Sequence, residues 1–407
     1  MKRFFHSVLP AFLLAVSVGQ IYAFTNFSSE IAVYIGATQK AVQFAFSLGI
    51  FFLGMGAAFF GKIVEKNIRL STFIGMGLFL SGLFVTALGI WLKSCWTIYV
   101  GYGLLLGLGT GVIYITPVKT MMLWFPNNKA IAAAVPIISF GLGSTLSTIL
   151  YKGGMGVVGF YDKFDVANRP RGIIEVFIAF AMFYFVTMAF AAFWLKKPPY
   201  KLESDGMISK FNGIEFSYLK LIGDRFFVQA WLFMFLNISA GLCLIPLAKQ
   251  MMGAEIIGYS ASTITLVIGL SGIMNGGGRF VFAWWSDCLN VRKHILIYIS
   301  LISFITMAVS LKFAVVIGVS LLVINACYGA GFSVIPGILA DHYGMSNISK
   351  IHGAVLSAWG VAGLVGNQAA LYIGNRFGGY MAVISMLIIV YLLNILNSGY
   401  MLKANEK

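Results

Sequence analysis

Acidic side chains are scarce in this chain: 13 Asp and Glu stand among 407 residues, against 28 Lys and Arg. Charge of either sign is thin, at 10% of residues, while 59% are hydrophobic, and no soluble domain hides that much apolar surface. A water-soluble enzyme is thereby set aside, and a polytopic membrane protein is the expectation. The net charge of +15 does not mark a nucleic-acid binder, because the basic residues are scattered between apolar runs and read as topology signals. Cysteine is equally sparse. Cys95, Cys243, Cys288 and Cys327 lie far apart, with no CxxC pair and no neighbouring His, which argues against a disulfide frame and a metal site. The spans offer no buried acid–base pair, metal-ligand set or Ser-His arrangement, so neither catalytic residues nor a cofactor are expected.

Long apolar runs are what the chain has instead. A helix needs about 20 apolar residues to cross the hydrocarbon. Twelve runs meet that need, at 8–27, 40–61, 71–92, 96–123, 130–151, 173–195, 226–248, 259–284, 294–311, 313–340, 352–373 and 379–401. The first comes after Met1-Lys2-Arg3 as in a signal peptide. It continues through Tyr22 to Phe27 without a small-residue cleavage site and reads as a span that stays. Alternating the runs from an inside N-terminus puts 17 Lys and Arg inside and nine outside, with Lys119 and Arg279 within spans. That excess predicts both termini in the cytoplasm of a plasma (inner) membrane protein.

Residues 196–225, opened by Lys196-Lys197-Pro198-Pro199, are the longest cytoplasmic stretch and divide the chain into six-helix halves, 1–195 and 226–407. The halves repeat. Glu65 and Asp287, each preceding basic residues, lie 222 apart; Gly109-Thr110-Gly111 and Gly329-Ala330-Gly331 lie 220 apart; Lys129 and Lys350 lie 221 apart. A steady offset is the mark of duplicated halves, as in transporters that bind their solute near the midplane.

Two cations inside spans point to the solute. A charge near the centre of a bilayer helix costs about 2.5 to 3.5 kcal/mol on insertion scales, and no Asp or Glu sits at comparable depth in sequence. Arg279 is eight residues before Asp287, about 12 Å deep at 1.5 Å per residue, and its planar fork suits a carboxylate. Asn275, one turn earlier on the same face, can donate a further hydrogen bond. Lys119, five residues before Trp124, is either a second cavity cation or a side chain snorkelling to the cytoplasmic interface. Tyr22, Tyr114, Tyr328 and Trp359 are aromatics within spans, readable as packing or as substrate contacts. Glu65, Lys66 and Arg69, with Asp287 and Arg292 as counterparts, read either as ordinary inside charge or as a gate that breaks when the cytoplasmic side opens. Gly103, Gly107 and Gly111 recur every four residues, a close helix-packing face rather than a phosphate loop.

These segments resemble the major facilitator superfamily and, within it, the oxalate–formate antiporter and monocarboxylate transporter families. GKIVEKNIR (61–69) is similar to the superfamily loop, with Glu65 as its acid and Lys66 for its first arginine. GVIYITPVKTMMLWFPNNKA (111–130) is similar to the family's fourth span with its Trp-Phe-Pro ending, NISAGL (237–242) to the seventh, and NGGGRF (275–280) to the eighth. The resemblance implies that Arg279 binds the anion. Two departures are visible. Trp359 stands where the oxalate carrier has a second cation, a lysine, in its eleventh span. Asn275, which cannot titrate, stands where proton-linked animal carriers have an aspartate.

The expectation is an all-α membrane protein of twelve transmembrane helices, the major facilitator fold. It carries a small organic anion by alternating access, a monocarboxylate such as lactate, pyruvate or formate, by exchange or coupled transport. A dicarboxylate antiporter using Arg279 with Lys119, and a non-transporting anion sensor, are the alternatives. The expected partners are the carboxylate and the lipid bilayer; protons stay open through His352. A monomer is expected.

Overall fold

The computed structural model describes residues 3–150, 172–199, 217–253, 258–377 and 379–403. The middle of the expected linker (200–216) and the end of the expected fifth span (151) lie outside the described residues. Among the described residues the secondary structure is helical throughout. In chain order the α-helices are α1 (Leu9–Val18), α2 (Ser28–Ile35), α3 (Gln39–Lys66), α4 (Ile68–Trp91), α5 (Cys95–Ile98), α6 (Gly107–Trp124), α7 (Lys129–Ile149), α8 (Gly172–Trp194), α9 (Tyr218–Ile222), α10 (Arg225–Met252), α11 (Ala261–Cys288), α12 (His294–Lys312), α13 (Ile317–Tyr343), α14 (Ile348–Phe377) and α15 (Tyr380–Lys403).

Among the described residues twelve helical segments are long and apolar enough to cross a membrane, in the order of the twelve apolar runs. The cause is the solvent: hydrocarbon offers backbone groups no partners, so an apolar run satisfies them within its own helix. Polar residues mark the ends. Asn67, in extended conformation, accepts from Leu70 N at 3.0 Å and opens α4 immediately after α3 closes. The helices outrun the apolar stretches, and Glu65 therefore sits in the last turn of α3 instead of in a connecting turn. The first span is irregular: α1 gives way to a tighter 3₁₀ stretch, Gly19–Asn26, before α2. At eight residues that stretch is long for its kind. The Tyr102 hydroxyl donates to its Ile21 carbonyl at 2.8 Å.

The chain forms two compact units. One holds Met1–Asn127, Val135–Asn212 and Met345–Gly360; the other holds Asn128–Ala134, Gly213–Gly344 and Val361–Lys407. The beginning of α7 thus belongs with the second unit and the beginning of α14 with the first.

Lipid is as apolar as the protein interior, so helix association inside each unit depends on close packing. In the first unit the glycine face of the fourth span lies against α3. A Cβ on Gly107 would stand 2.7 Å from the Gly49 carbonyl oxygen, and one on Gly111 2.2 Å from that of Leu53. In the second unit α11 and α13 meet as closely, a Cβ on Gly278 falling 2.3 Å from the Ala326 oxygen.

Candidate functional site

In the second unit α11 and α13 meet at Arg279, and α10 packs on the same stretch of α13. Arg279 is 4% exposed on α11, and its Nε donates to Asn275 Oδ1 at 3.0 Å, the same-face neighbour expected from the four-residue spacing. That partner is a neutral amide: it sets the plane of the guanidinium without adding charge. The guanidinium carbon lies 5.5 Å from the centre of the Phe332 ring on α13, within cation–π range. Gly329 makes room for the arginine stem, since a Cβ there would sit 3.0 Å from Arg279 Cγ. Tyr328 packs edge-on to Phe332 at 5.4 Å, its ring set against Gly241 of α10, where a Cβ would come within 2.3 Å. Asn237 of α10 donates from Nδ2 to the Cys327 and Tyr328 carbonyls at 3.3 and 3.4 Å. The segments 237–242 and 275–280 therefore meet at the Gly-Ala-Gly of α13.

The first unit gathers the other aromatics. Tyr22, Tyr114, Phe140 and Trp359 form one cluster, with ring centres of Tyr114–Phe140 at 5.2 Å, Tyr22–Phe140 at 5.4 Å, Tyr114–Trp359 at 5.6 Å and Phe140–Trp359 at 5.8 Å. His352, earlier on α14 than Trp359, lies 6.5 Å from Tyr114 between ring centres, and its buried Nε2 has no hydrogen-bond partner among the described residues. Tyr328 belongs to the second unit. Trp359 is 1% exposed at the centre of it. Trp359→Ala should cost about 3–5 kcal/mol, as large core truncations do, and appear as a lowered melting temperature of purified protein.

The lysine in the fourth span is not the unpaired cation expected of it. Lys119, 5% exposed on α6, forms an ion pair with Glu65. Because α3 continues past its apolar run, the acid reaches the lysine's depth. The other carboxylate oxygen of Glu65 accepts from the Ser349 backbone N–H, in the first turn of α14. Lys66 and Arg69 do not join this pair: Lys66 is exposed, and Arg69 lies over the Phe193 ring at 5.5 Å.

Asp287 repeats the arrangement in the second unit. Its carboxylate accepts from Ala130 N at 3.3 Å and Ile131 N at 2.9 Å, in the first turn of α7, and pairs with Arg292. Arg292 Nε also donates to Asp341 at 2.7 Å, and Lys129 Nζ reaches the same carboxylate at 3.1 Å. Each acid thus caps a helix start, where backbone N–H groups and the helix dipole favour negative charge. Asp287 is 3% exposed and Asp341 40%. Asp287→Asn should therefore cost about 3 kcal/mol, the low end for a broken buried pair, since Arg292 keeps Asp341. Asp341→Asn should cost under about 1 kcal/mol, as surface pairs do. Thermal denaturation of the two variants gives that order or refutes it.

The Major Facilitator Superfamily profile matches residues 10–367. The chain belongs to the major facilitator superfamily. That family consists of membrane transporters, not enzymes, and the chain is an integral, multi-pass secondary transporter by this membership. Two curated relatives are similar over most of their length. The uncharacterized MFS-type transporter YhjX of Escherichia coli (strain K12) is 25% identical over 371 residues, covering 88% of this chain and 85% of that one. The oxalate:formate antiporter of Oxalobacter formigenes is 24% identical over 382 residues, covering 93% and 86%. Among solved structures, the E. coli fucose:proton symporter FucP superposes with a TM-score of 0.72 at 14% identity, covering 97% of each chain. A bacterial homologue of ferroportin in an outward-facing state gives 0.72 at 12% identity, covering 97% and 98%. At such identities these structures establish the major facilitator fold alone.

Several residues of these clusters are not singled out in the sequence. Phe332 could have been found as the four-residue neighbour of Tyr328 on a helix face. Asp341, at the end of α13 beside His342 and Tyr343, has only its charge at a span boundary to mark it. Phe140 looks like any other span residue, and Asn237 is marked only as the start of the 237–242 segment; only the fold brings it to the α13 carbonyls.

Proposed function

We propose that this transporter carries small organic anions, with monocarboxylates such as lactate, pyruvate or formate as its substrate class, and that Arg279 binds the carboxylate. The observation that carries this reading is a guanidinium 4% exposed within a membrane-spanning helix, its plane fixed by the Asn275 amide. A planar fork held in that way is matched to the two oxygens of a carboxylate. The similarity to an oxalate:formate antiporter supports an anion of this kind. Tyr328 beside Phe332 in the second unit, and Tyr22, Tyr114 and Trp359 in the first, are the proposed aromatic contacts. Glu65 and Asp287, by capping α14 and α7, are the proposed cytoplasmic gate, with Arg292 as the cation of the second cap. The plasma membrane is the proposed location.

A dicarboxylate would need a second cation, and Lys119 is engaged by Glu65, which favours the monocarboxylate. Counterflow of labelled lactate in proteoliposomes preloaded with lactate, formate or oxalate tests the proposal. Saturable counterflow driven best by the monocarboxylates is the expected result. Oxalate-driven exchange lost in Lys119→Gln would replace this reading with the dicarboxylate one, and the absence of carboxylate counterflow would end both.

A further inference from the structure

Beside the Lys119–Glu65 pair, within the first unit, lies a cleft of about 340 Å³ lined by Glu65, Lys119, Lys197 and Ser346 together with apolar Leu123 and Met345. It lies at the ends of α3 and α6 that the excess of Lys and Arg assigns to the cytoplasm. Two ammonium groups face one carboxylate there, and that carboxylate is already shared between Lys119 and the Ser349 N–H. Lys197 has no ion pair among the described residues. Its position is nevertheless built rather than loose. The preceding residue is tied on both sides, Lys196 N donating to the His6 carbonyl at 3.0 Å and Trp124 Nε1 donating to the Lys196 carbonyl at 2.8 Å. On its other side Pro198 stiffens the backbone by fixing its own φ. The cleft therefore combines a nearly buried cation, a second cation on an anchored backbone, and one positive charge in excess.

We propose that this cleft is a binding site for a small oxyanion, of the carboxylate or phosphate class, bridging the ammonium groups of Lys119 and Lys197. An anion in that place competes with Glu65 for Lys119. Glu65 links Lys119 of α6 to the Ser349 N–H of α14, so drawing the lysine to the anion breaks the α6 side of that link while the carboxylate keeps the N–H. Binding at this site would then act as a trigger from the cytoplasmic side, separate from the solute's own site. A free anion and the phosphate of an acidic lipid share this chemistry, and only experiment assigns the source.

Two readouts test it. In the first, the detergent-purified full chain is melted with and without inorganic phosphate, a measurement that does not depend on the carboxylate reading. Phosphate should raise the melting temperature of the native chain and of Lys197→Arg, and raise that of Lys197→Gln by less than half as much. In the second, labelled lactate uptake is measured into phosphatidylcholine vesicles loaded with phosphate. The expected result is a several-fold stimulation in the native chain, absent in Lys197→Gln, whose uptake without phosphate stays at the native level. Stimulation without phosphate in vesicles containing phosphatidylglycerol, again lost in Lys197→Gln, assigns the oxyanion to a lipid headgroup. Equal responses of the native chain and Lys197→Gln in the melting experiment, or no response in either, overturn the site. If lactate is not carried at all while the melting difference persists, it is the monocarboxylate reading that falls.

Discussion

Arg279→Ala is expected to lower carboxylate uptake about a hundredfold or more while the protein still inserts and purifies. A guanidinium–carboxylate fork makes two charge-assisted hydrogen bonds, each contributing about 1.5–3 kcal/mol net. Losing even about 3 kcal/mol corresponds to two factors of ten, at about 1.36 kcal/mol per decade. Arg279→Lys keeps the charge but not the plane. It also loses the Nε that Asn275 Oδ1 now accepts from, so a reduced rate rather than a recovered one is expected. The stability readout separates this role from a structural one. Truncation removes a buried charge and a ring contact with Phe332 of about 1 kcal/mol, so the melting temperature should move by only a few degrees. Native uptake in Arg279→Ala would remove the central residue of the proposal. A variant that fails to fold would instead make the arginine a packing element of α11 and α13.

Features that depend on one helix alone were legible in the sequence. The twelve spans were legible because bilayer thickness sets a length that any apolar run either meets or does not. Arg279 and Asn275 were legible because their relation lies within one helix, where a four-residue spacing means a shared face. The glycine face of the fourth span was legible for the same reason, and Gly107 and Gly111 do abut α3. Relations between helices were a different matter. Glu65 and Lys119 are 54 residues apart, and the acid reads as surface charge because the apolar run ends four residues before it. Helix α3 does not end there, so a carboxylate that hydropathy places outside the span reaches the lysine inside it. Tyr114 and Tyr328 occupy repeat-related regions, but the rings they pack on, Phe140 and Trp359 for the first and Phe332 for the second, come from the fold and not from the spacing.

Glu65→Gln should lower the melting temperature by roughly 10 °C, the second large effect expected. Breaking a buried pair costs about 3–5 kcal/mol because the remaining charge keeps its desolvation cost. Lys119 is such a remainder, at 5% exposure, and roughly 2–4 °C per kcal/mol converts the loss. Glutamine retains an amide oxygen for the Ser349 N–H, so what the variant removes is charge more than the geometry of the cap. Lys119→Met should cost less, because Glu65 keeps that N–H and the favourable end of the α14 dipole, worth about 0.3–1 kcal/mol. Replacing both at once removes the pair without stranding either charge, and such replacements are often neutral. The double variant should therefore melt above Glu65→Gln, with a coupling of about 2 kcal/mol or more. Additive losses would mean that the pair is incidental. The double variant also separates stability from gating. Its fold is restored, but no carboxylate holds the start of α14, so if Glu65 is a gate its uptake kinetics should stay altered after its stability has returned.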